Sequence, residues 1–236
     1  MKMTSSNQSL LYYGSLLITT SLPLSLFFVL ILPRPILLVL ATCAAFVYLL
    51  AMAIVSIPFQ IVPLSAVSIV LSVAAIEVAR YFLIRMYKQI QPVISRAGYN
   101  AALFPINDFV ASITCGTSFA VIQTLTQFWS IVGSFQGPGT VYSPSCPFIS
   151  SFVFLTWSTL VKEIFQIALM IISFQTYHRP KHYLAIVVGL HFVSSSVNIF
   201  TNLCIATFTI QLAAALIAVA YAASTIKQPS IKQKSS

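Results

Sequence analysis

The chain has 236 residues, 58% of them hydrophobic and 6% charged, with a net charge of +9. Soluble domains carry about 25% charged residues, and three acidic side chains cannot cover a water-facing surface. A soluble enzyme domain is excluded, and lipid must be the main solvent. The positive charge follows loops rather than one face, so it gives no reason to expect a nucleic-acid partner.

Seven apolar stretches predict an all-α polytopic membrane protein. They are Leu10–Leu32, Ile36–Pro58, Ile61–Leu83, Phe109–Gly133, Phe148–Phe174, Tyr183–Phe200 and Leu203–Ala223. Each is near the ~20 residues that cross a ~30 Å hydrocarbon core. The first is too long for a cleavable leader and reads as a retained span. Asn7-Gln8-Ser9 before it is a glycosylation sequon. Between the sixth and seventh, Thr201 and Asn202 alone must turn the chain. Residues 1–236 thus read as one seven-span membrane domain, ending in a short basic tail over 224–236.

Lys and Arg set the orientation. Arg34, then Arg85, Lys88 and Arg96, then Arg179 and Lys181, then Lys227, Lys232 and Lys234 fall on one side. The opposite loops hold none. The N-terminus is therefore expected to be lumenal or extracellular and the C-terminus cytosolic, which demands an odd number of spans.

Polar groups inside spans are costly and default to function or packing. Glu77 and Arg80 lie three apart in the third span, a spacing that lets them pair on one face. Ser112, Gly116 and Ala120 put small residues at every fourth position of the fourth span, a face that lets helix backbones approach closely. The fifth span carries Lys162, Glu163 and Gln166. Glu163 and Gln166 share a face, and Lys162 is expected to point elsewhere or snorkel. In the sixth, His191, Ser194, Ser195, Asn198 and Asn202 form a polar stripe that must meet protein or water. Of the four cysteines, Cys43 and Cys115 read as apolar fillers. Cys146 and Cys204 share the lumenal side, which permits a disulfide and equally two free thiols. The loop at 134–147 carries no charge and contains Gly137-Pro138-Gly139, a turn signal.

No catalytic set, metal spacing or cofactor motif is present in the sequence. A seven-span receptor shares the topology, but the spacing of Glu77, Arg80 and Tyr81 does not match the acidic-Arg-Tyr triplet. A small transporter would use prolines such as Pro23 to break helices, yet no matching halves are visible.

Read in order, these features resemble the anterior-pharynx-defective (Aph) family, the scaffold subunit of γ-secretase. The resemblance is carried by Glu77-Val78-Ala79-Arg80-Tyr81-Phe82, the Ser112/Gly116/Ala120 ladder, Gly137-Pro138-Gly139 and Phe154-Leu155-Thr156. Val187-Val188-Gly189-Leu190-His191-Phe192 with Ser194–Ser196 is its most specific element. The chain departs from the family in three ways. Only Gly116 remains of the glycine run in span four. No histidine stands in span five, where Lys162, Glu163, Phe165 or Gln166 takes the place. The loop between spans six and seven is short. The resemblance implies a non-catalytic subunit, without a cofactor, that assembles with nicastrin, presenilin and the presenilin enhancer subunit in endoplasmic reticulum, Golgi and plasma or endosomal membranes. It also implies a part in processing amyloid precursor protein and in Notch signalling. His191, Ser194, Ser195, Asn198, Glu163 and Gln166 would then line a polar cavity that meets a partner.

Overall fold

In hydrocarbon each backbone N–H and C=O must be satisfied within the chain, and the helix does this locally. The computed structural model describes residues 5–61, 66–96, 107–135, 142–143, 146–177, 179, 182–197 and 204–227. Seven α-helices appear among them: α1 Ser5–Leu26, α2 Pro35–Ile61, α3 Ala66–Arg96, α4 Asp108–Phe135, α5 Ser151–Thr176, α6 His182–Ser196 and α7 Cys204–Lys227. Six are long and apolar enough to cross a membrane. The exception is α6, apolar but 15 residues long. At 1.5 Å per residue it covers roughly 22 Å, less than the ~30 Å core.

The many Ser and Thr residues do not break these helices because their hydroxyls close back on the preceding turn. Thr20 donates to the Leu16 carbonyl at 2.8 Å, Thr42 to Leu38 at 2.9 Å and Ser173 to Leu169 at 2.7 Å. Pro23 lies inside α1, where it removes a backbone donor. The helix then passes into a π-turn over Phe27–Ile31, and the Leu32 N–H donates to the Phe27 carbonyl at 2.8 Å. Pro35 opens α2, a first-turn position where its missing N–H costs nothing. At the start of α4 the Asn107 side chain accepts from the Val110 N–H at 2.8 Å, an N-cap.

Several expected boundaries differ: α1 begins at Ser5 rather than Leu10, Ile61 ends α2 and α3 begins only at Ala66, and α7 runs to Lys227 rather than Ala223. α3 does not stop at Leu83 but continues to Arg96, so much of the predicted basic loop is helix. Its Lys88 pairs with Asp108 and ties α3 to the start of α4. The fifth helix starts at Ser151 rather than Phe148, because Cys146–Ser150 is a strand paired antiparallel with Tyr142–Ser143. The sixth ends at Ser196, short of the expected Phe200. The Thr201–Asn202 turn, the Gly137-Pro138-Gly139 motif and Asn7's side chain lie outside the described residues, as does any pairing of Cys146 with Cys204.

α5 is the hub, in contact with α1, α3, α4, α6 and α7. On one side Tyr48, Leu83, Cys115, Phe119, Met170 and Phe174 form a core among α2–α5. On the other, Leu169, Ile172 and Val187 pack on Ala214, Ala215 and Ala218 of α7. Cys115 is buried and Cys43 half-buried, both as free thiols. Large apolar side chains cover the outside; Val29 and Ile205 are each 80% exposed. That surface suits lipid and no other solvent.

Candidate functional site

The buried polar residues meet each other across helices. Glu77 and Arg80 stand one turn apart on α3 and form an ion pair. The second Arg80 nitrogen donates to Gln166 Oε1 of α5 at 2.6 Å. Nδ1 of His191, on α6, is bonded to the same Glu77 oxygen that Arg80 holds. A carboxylate only accepts, so Nδ1 carries the proton. Arg80 is 1% exposed, Glu77 7% and His191 4%. The four side chains thus fasten α3, α5 and α6 with charge-assisted hydrogen bonds, the strong kind. The partner of His191 within the chain is thus Glu77 of α3.

Glu163 turns the other way and accepts from Thr124 of α4. It makes no ion pair with His191. One turn earlier, Thr159 donates to Gln127 of α4 at 2.9 Å, and Ser158 to Gln211 of α7 at 3.0 Å. The sequence singled out none of Thr124, Gln127, Ser158, Thr159 or Gln211. Their signal was present: each is a hydrogen-bonding side chain deep in an apolar run. Thr124→Val should destabilise the protein by about 1–3 kcal/mol, since the other Glu163 oxygen is already buried without a partner. Detergent-titrated unfolding would measure it, and a variant as stable as the parent would remove this bond from the account.

Two cavities flank the quartet. One, of about 310 Å³, is lined by Gln123, Gln127, Lys162, His191, Ser194 and Ser195 with apolar groups between them. Lys162 was expected to point away from Gln166 or snorkel; it faces this same cavity. Asn198 lies outside the described residues. The other, of about 410 Å³, has Glu77, Arg80 and Arg179 in its wall. Among the described residues no three His, Cys, Asp or Glu side chains converge as metal ligands would.

The small face of α4 lies against α5. Ser112 and Ala120 are fully buried, and a methyl group at Gly116 would stand 2.8 Å from the Ile167 Cα. A backbone that close excludes any side chain there.

The model of the Aph-1 protein family matches residues 10–229, most of the chain. The chain belongs to the Aph-1 family. Aph-1 is a subunit family of γ-secretase, separate from the catalytic presenilin, and its integral, multi-pass character agrees with the six long apolar helices. No curated protein matches the chain. On the α5 face where the resemblance leads one to expect a histidine, this Aph-1 member presents Phe165, Gln166 and Lys162 to the same cavity as His191. Gln166 holds Arg80, and the Phe165 ring meets the His191 ring edge-on at 6.2 Å.

Proposed function

We propose that this Aph-1 member is a non-catalytic scaffold that supports assembly and stability of γ-secretase, holding presenilin, nicastrin and the presenilin enhancer subunit. The observation that carries the reading is the direction of the buried polar groups. Glu77, Arg80, Gln166 and His191 spend their hydrogen bonds on one another across three helices. No nucleophile stands beside a base in that set, and a fixed geometry is what a scaffold needs. The cavity beside it, with His191, Ser194 and Ser195 in its wall, is the place for a partner's segment.

On this reading the chain crosses the membrane seven times, N-terminus lumenal and C-terminus cytosolic. The Lys and Arg distribution supports the odd count. α6, though short, lies against α3, α5 and α7, where a helix need not satisfy lipid along its whole length. The expected sites of residence are endoplasmic reticulum, Golgi and plasma or endosomal membranes.

Solubilisation in mild detergent tests the assignment. Presenilin, nicastrin and enhancer homologues should co-purify with the tagged chain. Recovery of a stable subunit with none of them would overturn the scaffold role.

A further inference from the structure

The chain has three acidic residues in all, and none of them pairs with Lys162. Glu77 holds Arg80 and His191, Asp108 holds Lys88, and Glu163 accepts from Thr124. Lys162 sits in the middle of α5, half-buried and facing the 310 Å³ cavity. No acid of this chain stands within 4 Å of it. An ammonium at membrane depth is favoured by a counter-charge or strong hydrogen-bond acceptors, and Glu163, whose second oxygen is unpartnered, does not reach it within ion-pair distance. A counter-charge from outside the chain would fill that place.

The walls of the cavity narrow the choice. Gln123, Gln127, Ser194 and Ser195 place amide and hydroxyl groups around Lys162, while Met52, Ile69 and Ile76 form an apolar side. The volume is that of about ten water molecules at ~30 Å³ each, enough for a small anionic head and the first methylenes of a chain. Phospholipid phosphates are held at the headgroup level by two tails and their own hydration. A carboxylate on a single chain can slide to the depth of Lys162, leaving its tail in lipid. The unmatched charge is single, which also fits a monoanion.

We propose that this cavity is a binding site for a single-chain amphiphile with a carboxylate head, a long-chain fatty acid, with Lys162 as its counter-charge. The proposal stands on the missing ion partner of Lys162 and concerns the chain before the partner's segment of the proposed function enters the same cavity.

The test uses the full chain purified free of partner subunits, in nanodiscs of neutral lipid. Radiolabelled palmitate should bind saturably, and hexadecanol, which has the same tail without the charge, should compete at least tenfold more weakly. Lys162→Gln should lower palmitate affinity tenfold or more, and Lys162→Arg should keep most of it. A diazirine-bearing palmitate should label peptides of α5 and α6 around Lys162 and Ser194. Equal competition by hexadecanol, or no saturable palmitate binding at all, overturns the proposal. Both measurements use the unmodified protein, so they decide even where Lys162→Gln fails to fold.

Discussion

Glu77→Ala is expected to destabilise the protein by about 3–5 kcal/mol, the range for breaking one side of a buried ion pair. The substitution strands the Arg80 guanidinium, 1% exposed, with only the neutral Gln166 oxygen at 2.6 Å as a partner. It also takes the acceptor from His191 Nδ1, so α6 loses its bond to α3. His191→Ala should cost less, about 1.5–3 kcal/mol, because it removes one hydrogen bond to a charged group and leaves the ion pair intact. Replacing Glu77 and Arg80 together by Leu should be milder than the sum of the single changes, since no charge is then left alone. The measurement is unfolding in detergent micelles, followed by helical circular dichroism, on Glu77→Ala, on His191→Ala and on the four corners of the Glu77→Leu and Arg80→Leu cycle. A Glu77→Ala protein within 0.5 kcal/mol of the parent would show that the quartet does not hold the helices together.

Part of this arrangement was legible in the sequence. Apolar length located the helices, because a chain in lipid has few other options. The three-residue spacing put Glu77 and Arg80 together, since helical periodicity is a local rule. Contacts between helices are not local. Glu77 and His191 are 114 residues apart, and a stripe on one helix does not say which neighbour it meets. Hence the polar stripe of α6 does not by itself reveal that His191 meets Glu77 on α3. Lys162 was misjudged for a different reason. Lys162 and Gln166 are four residues apart and therefore share a helix face, so both line the same cavity. The boundaries that moved have their own causes. Charge at Arg85 and Lys88 ends a favourable stay in hydrocarbon, but it does not end a helix, so α3 runs on to Arg96. Phe148 and Ile149 continue an apolar run, yet a short apolar stretch does not distinguish strand from helix. The proline at 147 biases the residue before it toward extended backbone, and that residue begins the strand.

Gly116→Leu should abolish normal packing of α4 on α5 and, with it, assembly of the complex. The geometry leaves little room for compromise. Even the Cβ of alanine would stand 2.8 Å from the Ile167 Cα and 3.3 Å from the Met170 Cβ. The closest obstacle is backbone, which no rotamer change removes, so the two helices must separate. Gly116→Ala should therefore cost about 1–3 kcal/mol, as overpacking does, and the larger leucine more. The separation would reach beyond the contact itself. Thr124 to Glu163 and Gln127 to Thr159 both bridge these helices, two and three turns along α4. Hydrogen bonds lose strength steeply with distance and angle, so a shift of α4 loosens each of them. Gly14 and Gly189 supply the control. A Cβ at either meets nothing within 4 Å, and alanine there should be neutral or stabilising by up to about 1 kcal/mol. The readout is the yield of presenilin and nicastrin homologues recovered with each variant, normalised to its own level in the membrane. Full recovery with Gly116→Leu would mean that α4 and α5 can part without loss, and the close approach at Gly116 would then not be what positions α5 as the hub of the subunit.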